Sequence, residues 1–556
     1  MTDKSATIKV DGSKWLGELS HNWNYIGYDE INYTYTPESQ ELLAKFMQFQ
    51  EKPYYIRAHH LLCNGNCHGF YKWGSTNVYS EDSHGNPIYF WTYVDLVFDT
   101  ILKFNCKPFV ELGFMPKDLV SPEHLARIPQ QAGWHADYLM YQSHGWTCPP
   151  KDYQKWYDLI YALLKHCLDR YGLDEIKSWY WELWNEPDIR YWAGTIEEFN
   201  KLYDYTAAAV KAACPDARVG GPSVTNPDLN RNSGKYLDIF LDHCHNGKNY
   251  LTGQVGTPLD FITFHVKGGG YPMDLKASKS TPPSVKRILR DVKTGYEIIS
   301  KYSNYKDLEC ILSEIDPDGW AAGGVMDNIN FEFRNTEYYP SFVAASFDKV
   351  NKFAKSNNWD LRLLSWAYLF VGERCFEGTR SFSTQGIDKA ILNLFRMYAK
   401  TGVKQISMES TEEKDPLTYS DMIGYGVSPD IAGFASFTPG KSIEILLYNH
   451  HDDWDLNETW TVNVELVNLP FDATQYQVAH YRIDATHSNA YPEWLRQGKP
   501  LYPEAGQKAA IKARESLELL EPEKIVVMRD GKLKLSFTMP VHGVSLLIFS
   551  PIMENI

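Results

Sequence analysis

The sequence predicts an α/β chain in which a (β/α)8 TIM barrel is followed by a C-terminal β-sandwich. Three observations carry this prediction. Strand-like and helix-like stretches alternate over about 400 residues at the spacing of βα units. The strands centre near Trp23, Ile56, Phe109, Trp181, Val219, Ile262, Leu312 and Leu364. Within that run, Trp179-Tyr180-Trp181-Glu182-Leu183-Trp184-Asn185-Glu186-Pro187 reads as a strand buried on both faces. Beyond about residue 408 the helical period fades and short alternating strands take over. The expected domains are therefore residues 15–408 and 409–556. A doubly wound open sheet would share the alternation, but no Gly-rich phosphate loop follows any strand.

The central stretch sets the expectation for function. Pro187 lacks an N–H and disfavours α geometry in Glu186, so the strand is expected to stop there. Asn185 and Glu186 then stand at a carboxyl end of the barrel, the rim where active sites sit. Helical sequence follows from 195 to 213.

Taken in order, residues 6–10 alternate like a short strand, and His21–Tyr28 reads as a polar-aromatic loop on the rim. Residues 54–62 form a strand carrying Arg57 and His59. A buried arginine needs a partner, and Glu182 is the candidate. Residues 94–104 are helical, 107–113 a strand, 153–171 a helix leading to the central strand, and 199–214 a further helix. A strand at 217–222 ends in Gly-Gly-Pro. Another at 259–265 ends at His265, with Lys267 and three glycines beyond. Helix 285–302, strand 308–315 with Glu314, helix 336–356, strand 361–368 containing Trp366, and helix 389–401 complete the alternation. In the C-terminal part, 443–448, 461–467 and 477–483 alternate. Arg529-Asp530-Gly531 marks a turn before Leu533, Leu535, Phe537 and Met539. Residues 505–520 read as a helical excursion.

Composition removes several functions. The 556 residues carry a net charge of -15 with pI ≈ 5.6, which argues against a nucleic-acid partner, since that would need a basic stripe. No basic start precedes an apolar run at the N-terminus, and no stretch is long and apolar enough for a membrane. The nine scattered cysteines suit a reducing compartment, so a cytoplasmic location is expected. Cys63 and Cys67, near His59, His60 and His68, match no zinc spacing. No metal and no cofactor are expected, and a homo-oligomer is compatible with the chain. The 17 tryptophans and 37 tyrosines suit stacking on sugar faces or ordinary core packing.

Glu314, in Cys310-Ile311-Leu312-Ser313-Glu314-Ile315-Asp316-Pro317, is a second carboxylate at the end of an apolar strand. Glu186 ends strand four and Glu314 strand seven. Two carboxyls facing across a barrel mouth are what glycoside hydrolysis requires, one as acid/base and the other as nucleophile or as base for water. An aromatic, partly dry site beside a second carboxylate would keep the acid protonated near neutrality. The Asn185 amide can donate to a sugar 2-OH. His265 either holds the nucleophile or a sugar hydroxyl, or is a structural histidine at a strand end. A non-catalytic sugar-binding barrel is the alternative from another class. No G-x-S-x-G motif supports a serine hydrolase.

These motifs resemble glycoside hydrolase family 39, which holds β-xylosidases and α-L-iduronidases. Arg57-Ala58-His59-His60-Leu61-Leu62, Lys107–Gly113 with Met115-Pro116, Trp179–Pro187, Ser313-Glu314 and Tyr481-Arg482-Ile483-Asp484 before His487-Ser488-Asn489 carry the resemblance. It implies a retaining mechanism with Glu186 as general acid/base and Glu314 as nucleophile, and an N-terminal strand (residues 1–14) that joins the sandwich. His59 and Trp366 join the substrate-binding candidates. The expected activity is an exo-acting β-D-xylosidase on xylo-oligosaccharides or related glycosides. The sequence His265-Val266-Lys267-Gly268 is also similar to the iduronidase branch, where a lysine and an arginine hold the sugar carboxylate. Lys267 matches the first and Arg380 is an offset match to the second. Alternatively Lys267 pairs with a protein carboxylate such as Asp316 or Glu377.

Overall fold

Eight parallel strands close into a barrel in sequence order: Tyr25–Tyr28, Tyr55–Ala58, Lys107–Leu112, Tyr180–Leu183, Arg218–Val224, Phe261–Gly269, Glu309–Asp318 and Leu361–Trp366. They are called strands one to eight below. The structure, a computed structural model, describes residues 4–49, 52–64, 76–128, 145–269, 282–319, 324–326, 328–418 and 427–553. Helices on the outside cover the strands. Their starts follow local rules: Asp152 caps Tyr153–Tyr171 by accepting from the N–H groups of Gln154 and Lys155, and Thr195 with Glu198 forms a capping box on Ile196–Ala213.

The barrel interior is built in layers by the two-residue period of a strand. One layer is aromatic and aliphatic: Tyr25, Tyr55, Phe109, Tyr180, Phe261, Ile311 and Leu364 pack together. Two small residues make room for it. A Cβ on Gly220 would lie 2.4 Å from the Phe261 carbonyl, and one on Gly27 would lie 2.3 Å from the Trp366 ring. Two residues along, toward the carboxyl ends, the inward positions become Arg57, Glu111 and Glu182, all buried.

A separate, mostly antiparallel sheet of ten strands follows the barrel. Its strands include Lys404–Ser410, Asp430–Thr438, Ser442–His450, Thr459–Val467, Gln475–Ile483, Lys532–Pro540 and Val544–Ile552. The N-terminal strand Ser5–Glu18 lies between Lys404–Ser410, antiparallel, and Thr459–Val467, parallel. Ile8, Ile406, Ile445, Val464, Val478 and Leu535 share its apolar core. The helix Tyr338–Ser356 joins sheet to barrel. Tyr338 Oη donates to the Asp452 carbonyl at 2.9 Å, and Tyr448 Oη donates to Asp348 Oδ2 at 2.9 Å. Among the described residues no helix is long and apolar enough to cross a membrane.

Several expectations are corrected. His21–Asn24 do not form a rim loop. They precede strand one at its amino end, where Asn22 Nδ2 donates to the Leu361 carbonyl at the start of strand eight. Only 505–512 of the 505–520 stretch is helical, because Glu518–Leu519 pairs with Tyr481 and Arg482 as a short strand. Among the α-helices longer than six residues, Pro37–Gln48 and Asn232–Asn246 have no counterpart in the sequence reading. The first carries legible signals, an N-cap at Thr36 and Pro37 in its first turn. The second starts at Asn-Ser-Gly without a side-chain cap, which reads as a turn.

Candidate active site

Strand four ends at Leu183, three residues before the expected stop at Glu186. The chain turns at Trp184, whose φ is 66° and whose indole N–H donates to the Tyr191 carbonyl at 2.9 Å. Glu186 also takes a left-handed backbone (φ 45°), which is strained for a residue with a Cβ. Its N–H is held there by the Ser223 carbonyl at 2.8 Å. Glu314 and His265 are not at strand ends. Strand seven continues to Asp318 and strand six to Gly269. A register irregularity between Leu312 and Glu314 turns the carboxylate of Glu314 inward.

The two carboxyls meet across the mouth. One oxygen of each lies within 4.8 Å of the other, with a His265 nitrogen in the same group. Their environments pull them apart. Burial and the neighbouring Glu314 push Glu186 up to about 7. Burial also opposes the charge on Glu314, but His265, Lys267 and His59 outweigh it and hold that carboxyl well below its usual range. Lys267 Nζ donates to Glu314 Oε2 at 2.6 Å, and Arg57 donates to Glu314 Oε1 at 3.3 Å. Below about pH 7 the pair is one protonated and one ionised carboxyl, the division of labour that acid-assisted displacement needs. The same three side chains could in principle ligate a cation. Lys267 already supplies the positive charge at Glu314, and His265 Nδ1 is hydrogen-bonded to Glu186 Oε1 at 2.9 Å.

Arg57 organises the floor of this site. Its Nε donates to Glu182 at 2.6 Å, the partner expected from sequence, and its terminal nitrogens reach Asn185 Oδ1, Ser223 Oγ and Glu111. Burial works against its charge, but Glu182, Glu111 and Glu314 raise its pKa further above the ordinary value. His59 donates from Nδ1 to Glu111 at 2.6 Å. Burial opposes protonation there too, yet Glu111 lifts His59 to about 10, so it is a cation. Its ring lies 4.6 Å from that of Trp366, which is buried and 5.3 Å from the Arg57 guanidinium carbon. The Oδ1 of Asn185 accepts from Arg57 at 3.0 Å, and its amide nitrogen has no hydrogen-bond partner among the described residues.

Lys267 and Arg380 converge on Asp316, at 3.0 and 3.2 Å, and Arg334 pairs with Asp318 and Asp316. Of the two carboxylates offered as alternative partners, Lys267 pairs with Asp316, while Glu377 pairs with Arg374. Sequence reasoning missed Glu111, Ser223 and Arg334. Glu111 lay in a recognised strand at the same alternation as Phe109 and was legible. Ser223 and Arg334 carried no signal. His60 Nδ1 lies 3.2 Å from Cys63 Sγ, and Cys67 and His68 fall outside the described residues.

The model of glycosyl hydrolases family 39 matches residues 6–518. The chain belongs to glycosyl hydrolase family 39. It is 26% identical to the β-xylosidase of Geobacillus stearothermophilus over 548 residues, 95% of this chain and 93% of that one. It is 24% identical to the α-L-iduronidase of Mus musculus over 415 residues, 70% of this chain and 61% of that one. A solved structure of a bacterial orthologue of human α-L-iduronidase matches at TM-score 0.75 and 20% identity, covering 100% of this chain and 85% of that one, a likeness of fold. As a family 39 member the protein is an O-glycosyl hydrolase acting on carbohydrate, by the family's retaining, two-carboxylate chemistry.

Proposed function

We propose that the protein is an exo-acting, retaining β-D-xylosidase in which Glu186 is the general acid/base and Glu314 the nucleophile. The observation that carries the mechanism is the close, unlike pair: oxygens within 4.8 Å, one carboxyl raised to about 7 and one held low. That spacing fits the retaining arrangement, since an inverting pair leaves room for water at roughly 6.5–9.5 Å. In the first step Glu314 attacks C1 while Glu186 gives its proton to the leaving oxygen, forming a glycosyl ester. In the second, Glu186 takes a proton from water, which displaces Glu314 and restores both groups. Asn185, His59 and His265 are proposed to hold sugar hydroxyls or the carboxyl pair, with Trp366 as a buried wall.

The xyloside reading is supported by charge. Lys267 and Arg380 are already neutralised by Glu314 and Asp316, which suits a sugar without a carboxylate at C5. The broad match to the β-xylosidase points the same way. A uronide is the second reading, favoured by Arg380 Nε, a buried donor without a partner among the described residues. The eight described cysteines are buried free thiols, in keeping with a cytoplasmic setting.

The test assays an aryl β-D-xyloside and an aryl α-L-iduronide. Xyloside turnover with a bell-shaped kcat/KM is expected, its alkaline limb near pH 7 from Glu186 and its acidic limb below 4.5 from Glu314. Glu186→Ala should lose the alkaline limb and should harm poor leaving groups far more than activated ones. Equal losses on both would overturn the acid assignment. Lys267→Ala should leave xyloside selectivity intact. A selective loss of uronide cleavage worth roughly 1.5–3 kcal/mol would establish the second reading instead.

A further inference from the structure

Ser223 occupies an irregular place in strand five. Its φ is 57°, and the pairing with strand six slips between Pro222 and Val224. The bulge gives one residue two grips on Glu186. Its carbonyl accepts the Glu186 N–H at 2.8 Å, and its hydroxyl lies 2.9 Å from His265 Nε2, whose Nδ1 lies 2.9 Å from Glu186 Oε1.

We propose that Ser223 is a positioning residue that sets the tautomer of His265 and thereby decides which oxygen of Glu186 carries the catalytic proton. The argument is a count of donors. A guanidinium can only donate, so Arg57, 2.9 Å from Ser223 Oγ, donates to it. The single hydroxyl proton of Ser223 then goes to an acceptor. His265 Nε2 at 2.9 Å is nearer than Ser313 Oγ at 3.4 Å. With Nε2 accepting, the ring proton is on Nδ1, and it donates to Glu186 Oε1. Burial holds His265 down to about 3, so the ring is neutral and carries only that one proton. The acidic proton of Glu186 is left on Oε2, which has no hydrogen-bond partner among the described residues. The reverse tautomer would let Glu186 spend its proton on His265 and take it out of the reaction.

This inference rests on the proposed role of Glu186, and the experiment separates the two. Ser223→Ala and Ser223→Gly are compared with Glu186→Ala, using kcat/KM across pH on an activated aryl and an unactivated alkyl glycoside. Loss of the hydroxyl removes an Nδ1–H donor that favours ionised Glu186. The alkaline limb should therefore move up by about 0.5–1 pH unit, the worth of one hydrogen bond. The alkyl substrate should lose roughly tenfold or more and the aryl one much less. Glu314, Lys267, His59 and Arg380, which also act on Glu186, are unchanged in both variants, as are Asp188 and Tyr191. Glycine suits φ 57° better than alanine, so like effects in both assign the change to the hydroxyl. A Gly variant like the parent, with only Ala impaired, would reduce Ser223 to a backbone role and overturn the proposal. An unmoved limb in both would overturn it as well. If Glu186→Ala itself spares the leaving-group dependence, the underlying assignment has failed instead.

Discussion

The same eight strands build two very different layers inside one barrel. Tyr55 and Arg57 are two residues apart on strand two, Phe109 and Glu111 on strand three, Tyr180 and Glu182 on strand four. The lower member of each pair joins an aromatic floor, and the upper joins a charged cluster. The floor is closed by ring contacts, with Tyr25 and Tyr55 stacked at 4.9 Å and Phe109 and Tyr180 at 5.0 Å. Its polar tips are turned to the amino end, where the Tyr180 hydroxyl donates to Glu309 at 2.9 Å. The upper layer has no such outlet. Its charges are buried and must neutralise one another. The difference teaches that the floor is what gives the upper layer its chemistry. A dry base keeps water from screening the pair, so the neighbours of Glu186 and Glu314 can drive their affinities for a proton in opposite directions.

The contrast breaks most sharply at Glu314. Glu314→Gly should lower turnover by about 10⁴-fold or more, while the fold persists. With azide added, that variant should release a glycosyl azide of inverted configuration. A product of retained configuration would mean that the nucleophile lies elsewhere. No change in the floor should give either result.

Removal of the cation that serves several carboxylates comes next. Arg57→Met leaves Glu111, Glu182 and Glu314 without their common partner and should cost about 3–5 kcal/mol in urea unfolding. A loss below about 1 kcal/mol would mean that the cluster is balanced without Arg57.

His59 sharpens the comparison through pH. Its folded pKa of about 10 is raised above the ordinary 6.5. Its contribution to stability is therefore full below pH 6.5 and is lost as pH rises through about 10. His59→Asn should show its largest deficit in unfolding free energy near pH 6 and a shrinking one toward pH 10. A deficit independent of pH would remove the Glu111 pairing from the account.

The smallest effect belongs to the floor. Tyr180→Phe loses hydroxyl contacts at the barrel base and should cost about 1 kcal/mol of stability. The kcat/KM profile should keep its limbs. A moved limb would show that the two layers are electrically joined.

How much of this was legible can be judged residue by residue. Glu186 and Glu314 were readable because each stands in an apolar run broken by a nearby proline, and the Arg57–Glu182 pair followed from the cost of burying a lone arginine. The ends of the strands were less legible. Strand four stops at Leu183, where Trp184 turns to a positive φ and its indole donates to the Tyr191 carbonyl, and strand seven runs past Glu314 after a bulge. Neither event leaves a local trace. Lys267 was correctly matched to Asp316 as one of two options, yet Arg334, which shares that carboxylate, comes from a 3-10 segment with no periodic signal.

The sequence by itself determined the order of the eight barrel strands, the aromatic filling of the barrel and the identity of its two rim carboxylates. These follow from period, burial and proline, which act over a few residues. The tertiary structure alone decided the ionisation of each carboxyl and the seating of Ser223 and His265 beside Glu186. Those depend on distances between residues dozens to hundreds of positions apart. In a buried site a shift of an ångström or two in such a distance changes a proton's affinity more than the residue's own chemistry does.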